Sequence, residues 1–183
     1  MLAKIKSILK VVYLSAQMAY DNAYRIITGL PQLKRCQITA NLYLGSQYNL
    51  VGLRKLKSLG VTAIINMRMH SIYTGAQYKG FRYLHLPTPD NTPPPLDVLK
   101  EGANFADAAI KNGGKVYIHC RQGLGRGPTM TIAYLLKTGL TFNDALAMVK
   151  KVRTFINPRK SQVEVLKQLE QFYQEHPTEQ SII

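Results

Sequence analysis

Apolar and polar positions follow two different periods along this chain, and the switches between them mark the elements. Leu2, Ile5, Ile8, Leu9, Val12, Ala16 and Ala19 recur at roughly helical spacing, which predicts an N-terminal helix within residues 1–30, ended by Gly29 and Pro31. Residues 38–46 read as a short strand or hairpin, with Ser46 able to start a helix. Leu50, Leu53, Leu56 and Leu59 then line one face of a helix over 49–59, stopped by Gly60. Residues 61–67 form a nearly continuous apolar run, as a strand buried on both faces of a parallel sheet does. Residues 68–80 are polar and loop-like, 81–86 predict another strand, and the proline-rich stretch 87–95 can be neither helix nor central strand. A helical pattern over 96–111 ends at Gly113 and Gly114, and an apolar run over 115–119 predicts a further strand. Three helical stretches follow: 129–137 closed by Gly139, one from Thr141 with Asp144 in a capping-box relation, and one over about 158–175. Alternating strands and helices predict an α/β fold: one domain, a central mostly parallel sheet flanked by helices, with an extra N-terminal helix.

A length of 183 residues suits one domain able to bury about 70% of its unfolded surface. The expected divisions are a basic amphipathic segment at 1–30, the main domain at 37–175 and a tail at 176–183.

Charge adds a statement about partners. The formal net charge is +14, which favours phosphorylated proteins, anionic lipid surfaces or nucleic acid. In the first thirty residues Lys4, Lys6, Lys10 and Arg25 face a single acid, Asp21. Such a helix either caps the domain, covering a sheet edge or groove, or lies on an anionic membrane, or acts as a targeting presequence. A cleaved secretory signal is not expected, because Lys10 interrupts the apolar region and no small-x-small site follows. No run reaches the ~18 apolar residues of a membrane-spanning helix. The two cysteines, Cys36 and Cys120, are no disulfide framework. They predict catalytic or buried thiols in an intracellular reducing compartment, cytoplasmic, with membrane association through residues 1–30 as the variant.

The chemistry concentrates after the 115–119 strand, in His119-Cys120-Arg121-Gln122-Gly123-Leu124-Gly125-Arg126-Gly127-Pro128-Thr129. A strand that breaks into a glycine-rich turn and then a helix gathers backbone N–H groups and a positive helix end around one small volume. Cys120 attacks phosphorus if it is a thiolate, and those donors together with Arg126 favour the anion. Arg126 can hold two phosphate oxygens as a fork, and Gly123, Gly125 and Gly127 let the backbone approach. His119 is placed to hydrogen-bond the loop backbone or tune the thiol rather than to act as a base. The leaving oxygen needs an acid, and Asp90, on the proline-rich loop after a strand, suits it better than Asp97, Glu101 or Asp107, which read as a solvated helix face.

His-Cys, five residues and Arg, with an Asp thirty residues before the Cys, resembles the protein-tyrosine-phosphatase superfamily, dual-specificity type. The resemblance extends over most of 37–175, including Leu42-Tyr43-Leu44-Gly45-Ser46 and residues 59–66. It implies a dual-specificity phosphatase-like catalytic domain with Cys120 as nucleophile, Arg126 as phosphate binder and Asp90 as general acid. The phosphate loop is then His119, Arg121, Gln122, Gly123, Leu124, Gly125 and Arg126, and the two-step mechanism through cysteinyl-phosphate uses no metal or cofactor. The chain departs from the family at Gly127, where a Ser or Thr hydroxyl usually helps the thiolate depart. Plant glucan phosphatases also lack that hydroxyl. Its consequence falls on breakdown of the intermediate.

The resemblance implies phosphotyrosine and phosphoserine or phosphothreonine proteins as substrates first. The alternative is an anionic phospholipid, phosphatidylglycerophosphate or a phosphoinositide. Leu86-Pro87-Thr88-Pro89-Asp90 resembles the acid loop of phosphatidylglycerophosphate phosphatases, Arg121 adds a cation, and Arg68 and His70 follow a strand expected to end near the same face. A phosphate-binding pseudophosphatase ranks below these. Nucleic acid ranks lower still, because no aromatic and basic stacking platform is visible.

Overall fold

Four parallel strands carry the sheet. In this computed structural model, which describes residues 2–181 and side chains from residue 5, β1 (Leu42–Gly45), β2 (Val61–Asn66), β3 (Arg82–His85) and β4 (Lys115–His119) lie in the order β1-β4-β2-β3. All three pairings are parallel, so the mostly parallel α/β fold expected from the strand–helix alternation is the observed one. β4 sits between β1 and β2 and delivers the chain to His119 at the carboxyl ends of the strands.

The two faces of the sheet carry different cores. Leu42, Leu44, Ala63, Ile65, Val116 and Ile118 pack beneath α3 (Leu96–Lys111) and α4 (Arg126–Lys137), and α5 (Phe142–Val152) and α6 (Lys160–Glu175) pack on α4 in the same core. Tyr43, Ile64 and Tyr117 face the other way, against Leu53 and Leu56 of α2 (Leu50–Ser58), Tyr48 and Tyr78. All of α4 is buried among its neighbours, which is why its sequence lacks the polar face a surface helix shows.

Several boundaries differ from the expectations, each for a local reason. α2 is capped by Asn49, whose side chain accepts from the Val51 and Gly52 N–H groups. Ser46 is buried and starts no helix. Within the predicted leucine row, Leu53 and Leu56 are core while Leu50 faces solvent. α4 begins at Arg126 rather than Thr129, and Pro128 is accommodated because it falls in the first turn. α6 begins at Lys160, and the polar loop 68–80 holds one 3-10 turn, Gly75–Tyr78.

α1 (Leu2–Thr28) is the predicted N-terminal helix, but its apolar row does not cover the domain. Ile5, Ile8, Leu9 and Val12 are 48%, 55%, 62% and 59% exposed. Leu2 and Lys4 belong to this row and its basic edge, and their side chains lie outside the described ones. The domain is met instead by another side of the helix. Gln17 Oε1 accepts from Thr154 Oγ1 at 2.6 Å and from an Arg35 guanidinium nitrogen at 3.2 Å.

Candidate active site

The chain from the end of β4 to the start of α4 wraps around the Cys120 sulfur. Gly123 donates its N–H to Sγ at 3.2 Å. Gly123 holds φ at +69°, and a Cβ there would stand 2.7 Å from the Gly45 carbonyl oxygen, so only glycine fits the turn. Cys120 is 3% exposed at the base of a cavity of about 350 Å³, and the N-terminus of α4 opens beside it.

Arg126, at the first position of α4, is held from behind. One terminal nitrogen donates to the Thr88 carbonyl at 2.8 Å and to the Met67 carbonyl at 3.4 Å. Nη2 meets Asp90 Oδ1 at 2.9 Å, while the buried Nε–H makes no hydrogen bond among the described residues. Nε and Nη2 share one edge of the guanidinium, the edge that binds a planar pair of oxygens. Asp90 therefore reaches the cavity from the 87–95 loop, as expected, and sits on the phosphate-binding edge.

Further residues hold that loop in place. Arg159 Nε donates to Asn91 Oδ1 at 3.0 Å, and Gln162 donates to the Thr92 carbonyl at 2.9 Å. Gln162 also accepts the Arg159 backbone N–H at 2.9 Å, as the capping side chain of α6. The rear of the phosphate loop is tied separately. Asn157 N–H donates to the Leu124 carbonyl at 2.7 Å, and the buried Arg153 donates to the Gln122 and Gly123 carbonyls at 2.8 and 3.0 Å. Arg153 in turn pairs with Asp21 of α1 at 2.8 Å.

His119 is buried behind the loop. Its Nδ1 lies 3.2 Å from the Cys120 carbonyl, which can only accept, so Nδ1 carries the proton. Burial pushes its pKa down to about 3, outweighing the loop carbonyl that favours the charged ring. A neutral imidazole facing backbone fits the expectation that His119 is no base.

The cavity is lined by Asp90, Asn91, Cys120, Arg121, Gln122, Leu124, Gly125, Arg126, Asn157, Arg159 and Gln162. Of the residues singled out in the sequence, Cys120, Arg126, Asp90, Arg121, Gln122, Leu124 and Gly125 thus come together. Gly123 supplies its N–H from below and His119 lies behind. Arg68 and His70 are not lining residues. The backbone after β2 is tied locally: the Asn66 side chain accepts the Arg68 N–H and donates to the His70 carbonyl. Sequence reading missed Asn91, Asn157, Arg159 and Gln162. The one available signal was the Asn157-Pro158 pair preceding α6, beside which the cavity lies.

At position 127 the missing hydroxyl is real in space. A Cβ on Gly127 would lie 3.5 Å from Cys120 Sγ, and the neighbouring hydroxyls are engaged elsewhere: Thr129 donates to the Gly125 carbonyl and Thr131 to the Gly127 carbonyl.

A sulfur facing a backbone N–H, a guanidinium edge and a carboxyl group over the same cavity can bind a tetrahedral phosphate, attack it and, with the carboxyl protonated, give a proton to what leaves. Comparison with known proteins agrees with this chemistry. Residues 42–172 match the family described as dual specificity phosphatase, catalytic domain. Dual specificity protein phosphatase 1-A of Xenopus laevis is 33% identical over 137 residues, covering 73% of this chain and 36% of that protein. The chain thus spans about a third of the length of that curated relative. Among solved structures, PTPMT1 superposes with a TM-score of 0.73 at 28% identity, over 78% of this chain and 98% of that one. PTPMT1 in complex with PI(5)P gives a TM-score of 0.72 at 28% identity, over 77% and 97%.

Proposed function

We propose, starting from the fact that this chain belongs to the dual specificity phosphatase family, that it hydrolyses phosphate monoesters through a cysteinyl-phosphate. The observation that carries the reading is the convergence of Cys120, Arg126 and Asp90 on one cavity. In the first step Cys120 thiolate forms the S–P bond as the P–O bond to the leaving group breaks. Arg126 and the loop N–H groups hold the equatorial oxygens, and the leaving oxygen takes the Asp90 proton. In the second step Asp90 carboxylate takes a proton from water, the water oxygen bonds to phosphorus, and the thiolate departs with the electrons of the S–P bond. Residues 37–175 are the proposed catalytic unit, with 1–30 and 176–183 attached to it.

Phosphotyrosine, phosphoserine and phosphothreonine in proteins are the proposed substrates. An anionic phospholipid is the second reading, favoured by a specific observation. A cleft between α1 and the 155–157 segment, lined by Val11, Leu14, Met18, Phe155 and Ile156, shares Leu124 and Asn157 with the phosphate cavity. The mouth is basic, with Arg121 and Arg159 beside it. PTPMT1 has been captured with PI(5)P, which lends support by analogy alone. Among the described residues no helix is long and apolar enough to cross a membrane, so lipid contact would run through the exposed row of α1.

The deciding experiment measures p-nitrophenyl phosphate hydrolysis by wild type and Cys120→Ser, then kcat/KM on phosphopeptides, phosphoinositides, phosphatidylglycerophosphate and 5′-triphosphate RNA. Wild-type turnover abolished by Cys120→Ser is expected. An active Cys120→Ser protein sinks the mechanism, and a wild type that binds phosphate without turnover identifies a pseudophosphatase.

A further inference from the structure

We propose that Asp21, on α1 and outside the segment matched by the family, is a positioning residue of the phosphate loop, acting through Arg153. The inference rests on the phosphatase reading above, because it assigns the loop its task.

Arg153 is fully buried and spends its donors on the back of the loop: Nη2 on the Gln122 carbonyl at 2.8 Å and Nε on the Gly123 carbonyl at 3.0 Å. In a trans peptide, C=O and N–H point in opposite directions. Tying the Gln122 carbonyl outward therefore turns the next N–H, that of Gly123, inward, and this is the group that meets Cys120 Sγ at 3.2 Å. By the same geometry, the outward Gly123 carbonyl turns the Leu124 N–H toward the cavity that Leu124 lines. Arg153 thus sets two of the donors that face the sulfur and the bound anion.

A guanidinium without solvent needs an opposite charge to stay where it is. Asp21 Oδ2, at 2.8 Å, is its one acidic partner among the described residues, and Asp21 is itself 3% exposed. The remaining neighbours offer less: the Arg35 carbonyl lies 3.5 Å away, and the Phe155 ring faces the guanidinium at 4.4 Å. Asp21 is also the only acid in the first thirty residues, set in an otherwise basic helix. Removing its charge strands a buried cation, and Arg153 relaxes by letting go of the loop carbonyls. A separate anchor of α1, Gln17 against Thr154 and Arg35, holds the helix without touching the loop. That separation makes positioning distinguishable from attachment.

The test compares full-length Asp21→Asn, Asp21→Glu, Arg153→Lys and Gln17→Ala with wild type. It uses thermal melting, competitive inhibition by orthovanadate, p-nitrophenyl phosphate kinetics and the pH profile of Cys120 alkylation by iodoacetamide. Asp21→Asn is expected to weaken vanadate inhibition roughly tenfold, lower kcat/KM by a similar factor and move the alkylation profile to higher pH. Asp21→Glu restores part of both. Gln17→Ala lowers Tm and leaves vanadate inhibition and alkylation at wild-type values. Should Asp21→Asn fail to fold, Arg153→Lys carries the test, since it keeps the ion pair, loses the fork and must weaken vanadate inhibition likewise. Folded Asp21→Asn or Arg153→Lys with wild-type inhibition and alkylation overturns the proposal, as does an equal loss in Gln17→Ala. A wild type that vanadate does not inhibit overturns the phosphatase reading instead, and the alkylation profile still decides whether Asp21 sets the loop.

Discussion

Asp90 Oδ1 stands 2.9 Å from Arg126 Nη2, so the acid and the phosphate holder of the proposed mechanism are paired with each other. The pair is lopsided, with the Asp90 side chain 65% exposed and that of Arg126 6%. A phosphate oxygen arriving on the guanidinium edge displaces Asp90 from the cation and toward the leaving group, to which it gives a proton in its acid form. Asp90→Asn is therefore expected to lower kcat by about 10²- to 10⁴-fold on alkyl phosphates and less on p-nitrophenyl phosphate, whose leaving group needs little acid. It is also expected to tighten orthovanadate binding by up to about fivefold, since solvent around the exposed Asp90 side screens the pair to about 1 kcal/mol. Weaker vanadate binding in Asp90→Asn would count against the competition.

Gly127 predicts which step is slow. With no hydroxyl near Sγ, p-nitrophenol release should show a burst of about one equivalent followed by a slower steady state. Gly127→Ser places an oxygen beside a Cβ that lies 3.5 Å from Sγ. We expect it to raise the steady-state rate about tenfold, the worth of one hydrogen bond to a charged group, and to shrink the burst. Gly127→Ala should do neither. Rapid-quench measurements that find no burst, with Gly127→Ser at the wild-type rate, remove this role.

The buried titratable groups predict a stability plateau with two falling arms. His119 is held neutral with a pKa of about 3, below its unfolded value of 6.5. Between those values the unfolded chain binds a proton that the folded one refuses, so stability falls as pH drops, by up to about 1.4 kcal/mol per pH unit. At the other end, burial pushes the Cys36 thiol up from 9.0 to about 12. Burial also raises Tyr134 and Tyr173 from 10.0 to about 12. The folded state then keeps protons the unfolded chain releases, and stability falls as pH rises from 9.0 towards 12. Thermal melting across pH should be flat from about 6.5 to 9, and Cys36→Ala should soften the alkaline arm. A Tm constant from pH 7 to 4 would refute the part assigned to His119.

The outward row of α1 predicts lipid adsorption. Ile5, Ile8, Leu9 and Val12 face solvent, and Lys6 and Lys10 lie on the same helix. Vesicles containing anionic lipid should bind the protein in a salt-sensitive way. Leu9→Glu with Val12→Glu should weaken co-sedimentation more than tenfold, since each loses about 1.5–3 kcal/mol of apolar burial. Hydrolysis of p-nitrophenyl phosphate should not change. Equal sedimentation of wild type and variant would leave α1 without a membrane role.

Legibility in the sequence followed distance along the chain. Cys120, Gly123 and Arg126 could be read together because one strand, one turn and one helix carry them all. Asp90 was readable because a proline-rich segment after a strand has to be a loop. Arg159 and Gln162 were not, because their place over the cavity depends on how α6 packs against α4, which no local pattern states. Arg68 and His70 follow β2 and do not line the cavity; where their stretch settles depends on local ties such as those of the Asn66 side chain to the Arg68 N–H and the His70 carbonyl, which no pattern of the sequence states. The apolar row of α1 correctly gave a helix and did not give the side that docks. That side is decided by Gln17 and Asp21, polar residues whose partners Thr154 and Arg153 lie more than a hundred residues away.

The placement of the two cysteines bears on how the protein would age under oxidant. Cys36 packs with Tyr43 and Tyr117 on one face of the sheet, and Cys120 belongs to the core on the other. For a Cys120 that peroxide has converted to its sulfenic acid, the other thiol of the sequence thus lies buried in a different core, and a disulfide between them would require that packing to open. Recovery depends on a thiol supplied by the surroundings, and without one each further equivalent of oxidant drives the sulfur toward forms that cannot be reduced back.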